Sequence, residues 1–188
     1  MRINEIINES QALDEARPGR AAAELKLEKA GYKKIGYGMY ANVFAKPGAD
    51  HVLKLFGYRD QAYRDFVNMT IQEPNIHFPK FKGKMMKITN DYYAIRMEIL
   101  EPLSQDKSDA LELMRQYIYA FVRDRFQPSR QPFRRATEME NLEKAQPGIT
   151  EACDLLARLM INNRLALDLH MNNAMMRGNT IVITDPVI

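Results

Sequence analysis

The chain has 188 residues, 46% of them apolar, which suits one compact domain or two packed lobes with a real core and excludes wholesale disorder. Its 27 Lys and Arg against 24 Asp and Glu leave a net charge of +3, too little by itself to argue for nucleic acid or membrane as a partner. One cysteine, Cys153, excludes an intrachain disulfide framework. No apolar run approaches a membrane span and the opening MRINEIINESQ lacks a signal peptide's apolar centre, so a cytoplasmic protein is expected.

Ile3, Ile6, Ile7 and Leu13 recur at roughly helical spacing over residues 2–16, until ARPGR breaks the pattern. AAAELKLEKA (21–30) predicts a second helix that stops at Gly31. YKKIGYGMYANVFAKPG then predicts strand, glycine-marked turn and strand. PGAD turns the chain into a third strand, HVLKLF. Residues 58–72 fit a helix ended by Glu73-Pro74. KGKMMKI (82–88) and YYAIRMEIL (92–100) predict two more antiparallel strands joined at Asn90-Asp91. Helices follow at 106–126, 137–145 and 151–163, the last with a cap expected at Thr150. A loop at 166–173 and a small hairpin, AMMRG and TIVITD, close the chain.

That closing segment holds the first candidate chemistry. Asp168 and Asn173 lie in one loop, and Asp185 ends the following strand. A carboxylate with an amide, completed by phosphate oxygens, is a typical magnesium arrangement, and a second carboxylate can accept a hydroxyl proton. The bland reading, turn residues and a strand terminator, is equally open on this segment alone. In the first half, Gly36 and Gly38 sit in a turn where backbone amides can approach phosphate oxygens. Lys54 lies in an apolar strand, on the face opposite Leu53 and Leu55. A lysine so placed needs an anionic partner or an escape to solvent.

Taken in order, residues 32–188 resemble the protein-kinase-like fold shared by protein kinases and aminoglycoside-type phosphotransferases. Gly36-Tyr37-Gly38-Met39-Tyr40-Ala41-Asn42-Val43 resembles the glycine-rich loop, with Ala41 in place of its third glycine. Val52-Leu53-Lys54 resembles the strand carrying the phosphate-binding lysine, and MEIL (97–100) the hinge. Asp168-Leu169-His170-Met171-Asn172-Asn173 is similar to the catalytic loop, and Asp185 to the metal-binding aspartate. The resemblance implies an α+β, two-lobed fold. Residues 1–31 would be a helical extension, 32–100 a five-stranded antiparallel lobe with one inserted helix, and 101–188 a truncated, mainly helical lobe.

It further implies binding of ATP and Mg2+. Lys54 would hold the α/β-phosphates, Asn173 and Asp185 the metal, and Asp168 the acceptor hydroxyl. The 36–41 backbone and Val43 would cover the nucleotide, Met97 would act as gatekeeper, and the Glu98 and Leu100 backbone would face the adenine. The acid expected to pair with Lys54 is Asp65 or Glu73, with Asp65 favoured because Glu73 abuts the helix-ending proline.

The departures shape the functional expectation. Ala166-Leu167 replaces the family's His-Arg or His-Gly pair, and only Pro186-Val187-Ile188 follows Asp185, with no Phe-Gly and no activation segment. The acceptor is therefore expected to be held elsewhere, by residues 1–31 or by the 123–148 stretch. That stretch carries Arg123, Arg125, Arg130, Arg134 and Arg135; a solvated loop is its default reading, and a surface for an acidic protein partner or phosphate-rich acceptor the sharper one. Aromatic interleaving there is too thin to favour nucleic acid. His170 falls where small-molecule phosphotransferases of this fold often carry histidine. The brevity and the opening MRINEII resemble small bacteriophage-encoded kinase-like proteins, which would place the chain in the cytoplasm of an infected bacterium. The expected function is ATP- and magnesium-dependent phosphoryl transfer to a protein or small-molecule hydroxyl. The alternative is a pseudokinase-type module, nucleotide-binding or not, that engages a host protein.

Overall fold

In the computed structural model, which describes residues 19–38, 41–126 and 133–188, helix α1 (Arg20–Lys29) leads into strands β1 (Lys33–Tyr37), β2 (Ala41–Ala45) and β3 (His51–Gly57). The helix expected at 2–16, the turn tip Met39-Tyr40 and Arg130 lie outside the described residues. Helix α2 (Gln61–Gln72) separates β3 from β4 (Phe81–Lys87) and β5 (Tyr92–Glu98). These strands form a five-stranded antiparallel sheet in the order β1-β2-β3-β5-β4. The fold is thus mixed α+β. It divides into two compact units, Met1–Gln61 with Lys80–Ile99, and Ala62–Pro79 with Leu100–Ile188.

In the first unit, α1 ends as its sequence predicts. Gly31 takes φ 87°, a left-handed conformation that a Cβ would strain, and its N–H donates to Glu28 O while Tyr32 N–H donates to Leu27 O. Period-2 alternation decides what the sheet buries. Phe44, Leu53, Leu55, Tyr92 and Ala94 share one core with Ala23 and Leu27 of α1. Lys54 pairs across strands with Val43 and Ile95, and so belongs to the opposite face. The helix expected from residue 58 begins only at Gln61, because Tyr58 N–H is held by Asp91 O and Asp60 N–H closes a turn on Gly57 O.

The second unit packs helix α3 (Ser108–Phe126) against α5 (Ile149–Asn163), with α4 (Ala136–Ala145) between them in sequence. Leu111, Met114 and Ile118 of α3 are buried, as are Ile149, Ala152, Cys153, Leu156 and Ala157 of α5, the apolar faces that 3.6-residue periodicity requires. Burial pushes the Cys153 thiol well above its ordinary range, so it behaves as a small apolar side chain rather than a nucleophile. The closing hairpin, β7 (Ala174–Arg177) and β8 (Thr180–Ile183), is one strand larger than expected: β6 (Glu101–Pro102) pairs with β7 and makes a three-stranded sheet. No described helix is long and apolar enough to cross a membrane.

Thr150 does not cap α5. Gly148, at φ 88°, is the N-cap residue, and the Glu143 carboxylate of the preceding helix accepts from Gly148 N–H at 2.7 Å and Thr150 N–H at 2.9 Å. These backbone bonds hold the Glu143 carboxyl below its ordinary value of 4.5. A carboxylate favoured in the folded state contributes stability above its unfolded pKa and loses it as pH falls through the depressed one. Glu143→Gln should therefore cost about 1 kcal/mol at neutral pH, the usual size of a lost cap. The deficit should shrink as the pH is lowered past the glutamate range. Urea unfolding at pH 7 and pH 3 checks both; a deficit independent of pH would contradict the capping account.

Candidate functional site

The glycine turn grows out of β1 and β2 of the first unit. Gly38 N–H donates to Ala41 O at 2.9 Å and closes the turn. Neither Gly36 nor Gly38 adopts a positive φ, so the backbone conformation does not demand glycine at either position. A Cβ at Gly36 would sit in ordinary contact with Val43, at 3.6 Å. Glycine there leaves sheet surface open in a row that runs Gly36, Val43, Lys54 and Ile95 across four strands. Lys54 is only 5% exposed, and an ammonium in such a setting persists only beside anionic or other acceptor groups.

Met97 is buried on that same face, opposite Val52 and Phe81. Glu98 is tied to the start of β4: its carboxylate accepts from Lys80 N–H at 2.7 Å, and its own N–H donates to Lys80 O at 3.1 Å.

In the second unit, Asp168 and Asn173 are brought into direct contact. Asn173 Nδ2 donates to the Asp168 carbonyl at 2.6 Å and to its carboxylate Oδ2 at 2.9 Å. The backbone fixes both residues. Asp168 N–H donates to Pro186 O, Ala166 and Ile188 exchange both backbone bonds, and Leu167 bridges Val187. Strand β8 ends at Ile183, two residues before Asp185. Beyond it, the Thr184 and Asp185 amides both point at Asn173 O, at 2.8 and 3.3 Å. Asp168, Asn173 and Asp185 are thus connected through one hydrogen-bonded loop.

His170 flanks this group. Its Nδ1 lies 3.2 Å from Asn172 N–H, and its Nε2 lies 3.0 Å from Asn173 Nδ2. An imidazole cannot accept at both nitrogens while neutral, and both Nδ2 protons are already used on Asp168. Nδ1 accepts from the Asn172 N–H, and Nε2 lies 3.6 Å from Asp168 Oδ1, just beyond hydrogen-bond range.

Asp65 is half-buried on α2, while Glu73 is exposed at the end of that helix, its carboxylate 4.0 Å from Arg158. Two of the arginines are paired with acids locally. Arg123 pairs with Asp124, and Arg135 with Glu138 and the Gln116 amide; Arg125 and Arg134 are exposed.

Sequence reasoning missed the groups that tie the closing hairpin to the segment around residue 77. His77 is fully buried, with Nδ1 2.7 Å from Ile181 O and Nε2 3.1 Å from Pro147 O. Arg177 of β7 donates to Ile76 O and Phe78 O. The detectable signal is a histidine within NIHFP, too polar for a core residue unless bonded.

The fold by itself defines the class: a mixed α+β protein with a five-stranded antiparallel sheet, one helix intervening between its third and fourth strands. Among solved structures, the chain is similar to the kinase PK-1 of Cydia pomonella granulovirus, at 13% identity and a TM-score of 0.38, over 89% of this chain and 58% of that one. It thus spans a little over half that kinase's length. No family model matches the sequence, and no curated protein does.

Proposed function

We propose that the protein is a phosphotransferase of two-lobed kinase-like fold that uses ATP and Mg2+ and passes a phosphoryl group to a protein or small-molecule hydroxyl. The observation that carries the reading is the Asp168–Asn173 contact. By donating through Nδ2, Asn173 orients the Asp168 carboxylate and turns its own Oδ1 away, and that oxygen accepts no hydrogen bond among the described residues. Asp168 is then the group that accepts or orients the acceptor's hydroxyl proton.

Among the described residues no three His, Cys, Asp or Glu side chains cluster as a ready-made metal site. Magnesium needs none, because it binds through one or two protein oxygens and completes its shell with phosphates and water. The donor chemistry of Asn173 Oδ1 and the Asp185 carboxylate fits that requirement, and the ion would neutralise developing phosphate charge. In the first unit, the Lys54 ammonium is assigned to the α/β-phosphates, and the backbone around Gly36 and Gly38 to covering them. Asp65 is kept as the acid assigned to Lys54, since Glu73 faces Arg158.

Calorimetric titration with ATP, with and without magnesium, tests the reading, alongside transfer of labelled phosphate to a lysate. Magnesium-dependent binding that Lys54→Met weakens by about tenfold supports it, the loss of one charge-assisted contact. Absence of any nucleotide binding would refute it, and binding without transfer to any acceptor would replace it with the pseudokinase-type module.

A further inference from the structure

The small net charge of the chain is unevenly spread. Residues 19–61 and 80–99, which hold α1 and the sheet of the first unit, carry more than twice as many Lys and Arg as Asp and Glu. Part of that excess sits on β4, an edge of the five-stranded sheet, where Lys82, Lys84 and Lys87 are all exposed. Lys82 is engaged by Asp50, whereas Lys84 and Lys87 have no ion pair among the described residues.

Lysines and irregularity on an edge strand also block pairing with another strand. Strand β4 has that irregularity: Lys82 faces Arg96 and Met86 faces Ala94, so Gly83-Lys84-Met85 oppose Ile95 alone, and Gly83 takes φ 74°. A partner strand therefore finds no continuous ladder to extend, which disfavours a peptide docked by strand addition. Protection of the edge does not account for what lies at its end. Phe56, Tyr93 and Tyr58 stack in series, with ring centroids 6.5 and 5.8 Å apart and planes inclined by 27° and 29°. The series runs from core to solvent, Phe56 being fully buried, Tyr93 partly buried and Tyr58 50% exposed. Tyr58 is held there by its N–H bond to Asp91 O, and Arg59 is exposed in the turn that Asp60 N–H closes on Gly57 O. Lys87 stands opposite Tyr93 in register, so its side chain shares that ring's face of the sheet. The Asp91 carboxylate lies toward α1, where a Cβ on Gly19 would come within 3.2 Å of its Oδ2.

We propose that the Tyr58–Tyr93 stack, with Lys84, Lys87 and Arg59 around it, is a binding surface for single-stranded nucleic acid. An exposed ring offers a π-face to any unpaired base, and cations beside it meet the phosphates, the two features that sequence-tolerant single-strand binding requires. An acidic protein would use the cations and leave the aromatic stack idle. The inference is independent of the nucleotide reading above, since the two sites share no residue.

Fluorescence anisotropy with the full chain and a labelled oligothymidylate of about 15 nucleotides, within the range such surfaces cover, tests it. Binding should weaken between about 50 and 200 mM salt with a log–log slope of about −2, roughly 0.7 for each of three cations. Tyr58→Ala should weaken it about tenfold at unchanged slope, while Tyr58→Phe, which keeps the ring, stays within about twofold. Lys84→Gln combined with Lys87→Gln should bring the slope to about −0.7. A duplex of the same sequence should bind more weakly than the single strand, because its bases are already stacked. No binding at about 50 mM salt, or an unchanged slope in the double lysine variant, would overturn the proposal. So would competition by poly-glutamate with Tyr58→Ala indistinguishable from wild type, which would make the surface one for acidic proteins. Should Tyr58→Ala fail to fold, Tyr58→Leu, which keeps apolar bulk without a ring, is read by the same criterion.

Discussion

Asp168→Asn is expected to lower phosphoryl transfer by about 10² to 10⁴-fold, the range for losing a positioned proton acceptor, while magnesium-dependent ATP binding stays within about twofold. The introduced amide keeps the shape of the carboxylate and can turn its oxygen toward Asn173 Nδ2, so the contact that fixes the loop survives. What disappears is the negative charge and the basic oxygen. Asp185→Asn should divide the effects differently. Its backbone bond to Asn173 O is independent of the side chain, so the loop is retained, but the carboxylate assigned to the cation is gone. ATP affinity in magnesium should then fall to the magnesium-free level, with transfer lost as a consequence. Titration and labelled-phosphate transfer on both variants read this split. If both retained wild-type transfer, the roles given to the two acids would be wrong.

The sequence made some of this arrangement legible because the relevant forces are local. Alternation in HVLKLF sets Lys54 against Leu53 and Leu55, and the turn residues of PGAD and Asn90-Asp91 fix where strands reverse. The spacing from Asp168 to Asn173 marks them as a pair, although no spacing rule foretells that the amide bonds the carboxylate. Non-local events stayed hidden. Two residues containing a proline, Glu101-Pro102, carry no strand signal and pair only because β7 is there. Thr150 has the chemistry of a cap, yet Glu143 reaches both amides from another helix. Arg20 reads as the end of a helix-breaking ARPGR stretch, and only Asn42, a polar residue on an apolar alternation, hints that it is buried.

Replacement of His77 by alanine is expected to cost about 3 kcal/mol or more, which is large against a typical domain stability of about 5 to 15 kcal/mol. The ring is completely buried and both nitrogens face carbonyl oxygens, which only accept. Alanine removes the ring's hydrogen bonding toward Ile181 O and Pro147 O and leaves a cavity the size of an imidazole, and both contribute to the loss. Gln restores amide donors but not the ring's shape, and should recover about half of it. Asn75→Ala, which removes contacts to Gly148 O and Glu151 and the acceptor of the His77 N–H but leaves the ring in place, should cost less, about 1 to 2 kcal/mol. Urea unfolding with an unchanged m-value checks the series. A loss below about 1 kcal/mol for His77→Ala would mean that the hairpin carrying Asn173 is held by Arg177 and backbone pairing alone.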